Sequence, residues 1–130
     1  VPPLESGALT SAYGQRLHPN NGGEEFHKGV DIAAPMGTAL AAMYDGTVTE
    51  VGENDSLGRY VRLSHSGGIE VLYGHCEQIV ARQGDVVQAG ETVALVGSTG
   101  VSTGNHVHWS VLVDGVACDP AALISLERYA

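Results

Sequence analysis

"TALAAMYDGTVTEVG", Thr38–Gly52, sets an Asp45-Gly46 pair between two runs of β-favouring residues. Asp-Gly in that setting is the strongest short-range hairpin signal, because a type I′ turn needs positive φ at both central residues. The plan recurs along the chain. "GRYVRLSHSGGIEVLYGH", Gly58–His75, alternates around Gly67-Gly68; "GDVVQAGETVALVG", Gly84–Gly97, bends at Gln88-Ala89-Gly90; "HVHWSVLVDGVACDP", His106–Pro120, turns at Asp114-Gly115. Strand, turn and strand in repetition predict an all-β domain of antiparallel sheets. Helix signals gather only at the end. Asp119 can cap, Pro120 suits the first helical position, and "AALISLE", Ala121–Glu127, is long enough for a short C-terminal helix.

A chain of 130 residues reads as a single domain with room for its own core. Residues 1–37 are rich in Gly, Pro and Asn and read as a loop-rich wall, residues 38–118 as the β core, and residues 119–130 as a helix and tail. The balance of 15 Asp and Glu against 6 Lys and Arg, a formal charge of −9, argues against nucleic acid and anionic lipid as partners. Neither a membrane-spanning apolar run nor a signal peptide is expected within this segment, so any anchor belongs to sequence outside it. Cys76 and Cys118 have no metal-type spacing and are too few for a disulfide framework, which leaves them as reduced, buried small hydrophobes.

Chemistry gathers around a few histidines. On a strand, His106, His108 and Ser110 share one face while Val107, Trp109, Val111 and Val113 share the other, so the two imidazoles project together away from the core. An exposed polar face on an edge strand would produce the same pattern. "HKGVD" adds His27 and Asp31, with Gly29 between them marking a turn into a strand. A catalytic zinc takes three protein donors, imidazole nitrogen or carboxylate oxygen at about 2.0–2.2 Å, plus a water. His27, Asp31 and one histidine of the pair make up such a set; spacing leaves open which one. His75 closes a strand on which Ile69, Val71, Tyr73 and His75 share a face, and it reads either as a structural residue or as a group that moves protons.

Read together, "HKGVDIAAPMGT", the "YGH" at Tyr73, the glycine-rich "GSTGVSTGNHVH" and their order make the chain similar to the lysostaphin-type, or LytM-type, zinc endopeptidases of bacterial peptidoglycan. The resemblance runs from Ser11 to Pro120. It implies an open groove of antiparallel sheets with one Zn2+ per chain on its floor. His27, Asp31 and His108 would be the ligands. His75 and His106 would be the catalytic histidines in hydrolysis of stem peptides or cross-bridges by zinc-activated water. It also implies an extracytoplasmic setting with a peptidoglycan peptide as partner, and protein partners reached through the rest of a parent chain. A non-hydrolytic wall-binding or protein-interaction module is the alternative function. Cys76 and Trp109 stand where the family commonly has leucine and phenylalanine, and the acidic charge is less typical of secreted wall hydrolases.

Tyr73, two residues before His75, is a candidate substrate-binding hydroxyl for an oxyanion, with a buried aromatic role as the other reading. His18 and His65 lie in loop or turn settings and are expected to be solvated. "GSTGVSTGN" lacks the GK[ST] of a phosphate cradle and leads into a strand, which suits a substrate-binding loop better.

Overall fold

In the computed structural model, residues 2–17, 24–100, 102 and 104–129 are described, and of residues 15–17 and 24–27 the backbone alone. The strands are short: β1 (Ala8–Ser11), β2 (Gly14–Leu17), β3 (Glu24–His27), β4 (Val30–Ala33), β5 (Ala39–Ala41), β6 (Gly46–Asn54), β7 (Gly58–His65), β8 (Ile69–Ile79), β9 (Val86–Val87), β10 (Thr92–Val96), β11 (His106–Val113) and β12 (Val116–Cys118). Nearly all join one antiparallel sheet in the order β1-β4-β11-β8-β7-β6-β9, with β12 on β11, while β2 and β3 form a separate pair. The far end of β8 also pairs with β10, which carries β5. The sheet therefore folds over its core without closing, as an open all-β architecture.

One face of this sheet is the core. Val107, Trp109 and Val111 of β11, Val71 and Tyr73 of β8, Val61 and Leu63 of β7, and Val30 and Ile32 of β4 are all inaccessible to solvent, as are Leu40, Val93 and Val96 of the β5–β10 layer. Period-two alternation in β11 and β7 thus divides the sheet as the sequence predicts.

Pairing partners depart from the local turn signals. Asp45-Gly46 does not join a hairpin: β5 pairs with β10, and β6 pairs with β7 and β9. Asp45 serves other strands, its carboxylate accepting from the Ala89 N–H at 2.8 Å and its carbonyl from the His65 ring at 3.0 Å. The bend at Gln88–Glu91 forms, closed by Glu91 N–H on the Gln88 carbonyl at 3.0 Å, but β9 and β10 do not pair with each other. The turns at Gly67-Gly68 and Asp114-Gly115 do connect paired strands, β7 to β8 and β11 to β12.

Two expectations about the ends are corrected. Residues 1–37 are not simply loop-rich, since β4 lies inside the main sheet and buries Val30 and Ile32. Among the described residues the expected C-terminal helix does not form. Asp119 does cap and Pro120 does open a turn, but that turn is a 3₁₀ turn of Pro120–Ala122, followed by another at Glu127–Tyr129. Tyr129 explains the difference: it is fully buried and its hydroxyl donates to the Leu4 carbonyl, so core packing pulls the tail away from continuous helix. Among the described residues, no helix is long and apolar enough to cross a membrane.

Candidate active site

The polar face of β11 carries the candidate site. His108 lies opposite Asp31 of β4 in the antiparallel register and opposite Gly74 of β8 on its other side. Directly opposed residues put their side chains on the same face. The result is a close pair, His108 Nδ1 and Asp31 Oδ1 at 3.0 Å, with side chains 17% and 16% exposed. Two donors held by one tetrahedral zinc at 2.0–2.2 Å stand about 3.4 Å apart, so this pair fits a metal's demands closely. Ser110 Oγ lies 2.9 Å from His108 Nε2. As a direct hydrogen bond, the Nδ1–Oδ1 contact needs the ring proton on Nδ1; with a metal held, the proton would move to Nε2, where Ser110 Oγ would accept it, the orienting bond that metal-binding histidines require.

His27 ends β3, where its backbone pairs with Gly14; its side chain lies outside the described residues, as does His18. Lys28 and Gly29 then lead into β4, the turn into a strand that the sequence predicts. Gly29 is there for closeness. A Cβ at this position would stand 2.7 Å from Ser110 Oγ, 2.8 Å from the Trp109 carbonyl and 2.9 Å from His108 Cε1. Gly29→Ala is therefore expected to displace the His108 ring and weaken zinc binding about 10- to 100-fold, the range seen when orienting contacts are lost. Competition with a zinc chelator measures it, and unchanged affinity would contradict this account of the ring's position.

His75 reaches the site by an irregularity. Regular alternation would leave it on the core face with Tyr73, but β8 has one extra residue relative to β7, between Val61↔Tyr73 and Arg59↔Cys76. At this bulge His75 takes φ +61°, a conformation that costs a non-glycine residue about 1–2 kcal/mol. Bulges re-aim side chains beside functional sites. Here the imidazole arrives 4.8 Å from the ring of His106 and 6.3 Å from that of His108, centroid to centroid. Its Nδ1–H donates to the Thr99 carbonyl at 2.7 Å. His106 does the same with the Gly104 carbonyl at 2.9 Å, and Ser102 Oγ lies 3.2 Å from the same nitrogen. Because a carbonyl only accepts, each ring carries its proton on Nδ1, and in the neutral form its lone pair is on Nε2. Burial pushes the His75 pKa below the usual imidazole value, and the neighbouring His106 and His108 push the same way, against opposing effects of the Thr99 hydrogen bond and Asp31.

The shared face of Tyr73 and His75 is thus corrected, and with it the substrate-binding reading of Tyr73. Tyr73 pairs with Trp109 on the core face, is fully buried, and gives its hydroxyl to the Ala41 carbonyl at 2.7 Å. His65 is also not solvated: it is 6% exposed, packs edge-on to Tyr44 and bonds the Asp45 carbonyl. Cys76 is buried and Cys118 half-buried, both as free thiols, and burial raises Cys76 to about 12, far from reactivity. Sequence reasoning gave Thr99 only a place in a substrate-binding loop, and Leu57 no role. Only the fold brings Thr99 to the His75 ring and the Leu57 carbonyl to within 2.6 Å of the His75 N–H.

Asp31 and His108 thus meet the His75 and His106 rings on the polar face of an open antiparallel sheet; among the described residues no group of three such side chains is placed to hold a metal, and the His27 side chain lies outside them. Residues 25–120 match peptidase family M23, and the chain belongs to that family. It is 37% identical over 123 residues to the DD-carboxypeptidase/endopeptidase Mpg of Neisseria meningitidis, covering 95% of this chain and 28% of that protein. It is 35% identical over 119 residues to the peptidoglycan DD-endopeptidase ShyC of Vibrio cholerae, covering 91% and 28%. Among solved structures, a zinc-containing peptidase from Vibrio cholerae superposes with a TM-score of 0.85 at 32% identity, over 91% of this chain and 37% of that one. The catalytic domain of lysostaphin from Staphylococcus simulans gives 0.80 at 29% identity, over 90% and 91%. The chain therefore spans little more than a quarter of the length of these curated relatives, 28%.

Proposed function

We propose that this domain is a zinc-dependent endopeptidase that hydrolyses peptide bonds in peptidoglycan stem peptides or cross-bridges. The observation that carries the reading is the Asp31–His108 donor pair with the His75 and His106 rings beside it. Its relatives' names support the substrate class, and action on such a substrate supports a setting in the cell envelope, outside the cytoplasm. His27, Asp31 and His108 would hold one zinc, and the mixed nitrogen and oxygen donor set suits that ion. When bound, zinc supplies Lewis acidity that activates water and polarises the scissile carbonyl. His75, held neutral with its Nε2 lone pair free, accepts the water's proton. That same proton then goes to the leaving nitrogen, by way of the Nε2 lone pair of His106, whose ring lies 4.8 Å away. With the metal held, Ser110 would engage the Nε2 proton of His108.

The test is zinc content combined with digestion of purified peptidoglycan. About one zinc per chain and released muropeptides are expected; a zinc-loaded protein that releases none would favour the wall-binding module instead.

The pH profile follows from His75. Its folded pKa lies below the unfolded value of about 6.5, so the unfolded chain binds the proton first as pH falls. Stability linked to His75 is full above about 6.5 and declines as pH drops through the folded pKa. Hydrolysis at constant zinc occupancy is likewise expected to persist to below pH ~6.5 before falling. Rates measured against pH with zinc monitored check this, and His75→Asn should remove that limb. Activity already lost above the ordinary imidazole range with zinc retained would contradict it.

A further inference from the structure

The bulge that delivers His75 has a specific clamp. Thr99 lies in the glycine-rich segment ahead of β11, yet its hydroxyl and its carbonyl are both engaged on β7 and β8. Its Oγ1 accepts from the Arg59 N–H at 3.0 Å and donates to the Cys76 carbonyl at 2.7 Å. These are the two residues that re-establish register beyond the bulge. Its carbonyl accepts from His75 Nδ1–H at 2.7 Å. The approach is backbone to backbone. Gly58, at φ +62°, has room for no Cβ, since one would run into the Thr99 carbonyl carbon, and a Cβ on Gly100 would run into the Gly58 nitrogen. The Leu57 carbonyl accepts the His75 N–H at 2.6 Å.

We propose that Thr99 is a positioning residue for His75: its hydroxyl locks the β7–β8 bulge that turns the imidazole onto the site face, and its carbonyl selects the Nδ1–H tautomer. The physical logic is that a left-handed histidine persists only where its surroundings over-determine it. A threonine bonded at both Oγ1 and carbonyl supplies that constraint, whereas a carbonyl on a mobile loop would allow the ring to exchange tautomers. A valine of the same shape keeps the packing and removes the two hydroxyl bonds. The inference rests on the proton-transfer role given to His75 above, but the orientation it describes can be read without turnover.

The experiment uses the whole zinc-loaded chain as Thr99→Val and Thr99→Ser. Nitrogen NMR of the His75 imidazole in the parent should show a protonated Nδ1 and an unprotonated Nε2 at neutral pH. Thr99→Val should average the two nitrogens and lower kcat on a peptidoglycan peptide by up to about 100-fold with KM little changed, the scale of a misplacement near 1 Å. Thr99→Ser should restore both. A parent spectrum already averaging between tautomers would overturn the proposal, even if Thr99→Val failed to fold. So would a valine variant with parental spectrum and kcat, or a serine variant as impaired as the valine. If the parent shows the fixed tautomer but no form cleaves peptidoglycan, the proposed reaction fails while the clamp stands.

Discussion

Replacing His75 with asparagine is expected to lower peptidoglycan hydrolysis about 100-fold or more, the scale of a lost general acid or base, while zinc content stays unchanged. Asparagine is the informative substitution because His75 sits at φ +61°, where asparagine is among the few residues that fit without strain. The bulge should survive, with a side chain too short to carry a proton to the scissile bond. His106→Ala is expected to behave the same way, since that ring is held by the Gly104 carbonyl and contributes nothing to the Asp31–His108 contact. Zinc content, circular dichroism and kcat measured together separate chemistry from folding. If either variant lost its metal while His108→Ala retained it, the roles within His106-Val107-His108 would be reversed.

His108→Ala and Asp31→Ala are expected to abolish activity by removing zinc. Losing a contact that merely orients a ligand costs about 10- to 100-fold in metal affinity, so removal of a direct ligand should cost at least the upper end of that range. The two changes differ in what they leave behind. Without His108, Asp31 keeps a half-buried carboxylate; without Asp31, the His108 ring keeps Ser110 on Nε2 and loses the partner on Nδ1. Both should fold, because each projects from the face opposite Trp109 and Val107 and leaves the core intact. His27→Ala belongs to the same series. Full zinc occupancy after all three single changes, read by elemental analysis, would refute the ligand set.

His106 and His108 could be placed on one face from sequence because two-residue periodicity is a property of the strand itself, set by backbone geometry over a few bonds. The core residues Val107, Trp109 and Val111 follow from the same rule, and so does the hairpin at Asp114-Gly115, whose strands are neighbours in sequence. Asp45-Gly46 shows where this stops. Turn chemistry fixes the local bend of the chain but not which strand lies alongside, and β5 finds its partner in β10, a distant stretch of the chain. Tyr129 makes the same point for the tail, where a capped, helix-favouring stretch yields to one aromatic ring that the core requires.

For the site, the residue types, the face of β11 and the turn that brings Asp31 into β4 are all legible in the order of amino acids, because each depends on a few neighbouring residues. The remaining features depend on which strands meet. The contact of Asp31 with His108 needs the β4–β11 register, in which a slip of one residue would turn the carboxylate to the core. The placement of His75 needs one extra residue in β8, bonded to a threonine 24 positions away, and its absence would leave the imidazole beside Tyr73. Alternation predicts the face of a regular strand, but a bulge is stabilised by whatever packs against it, and here that neighbour comes from a distant loop.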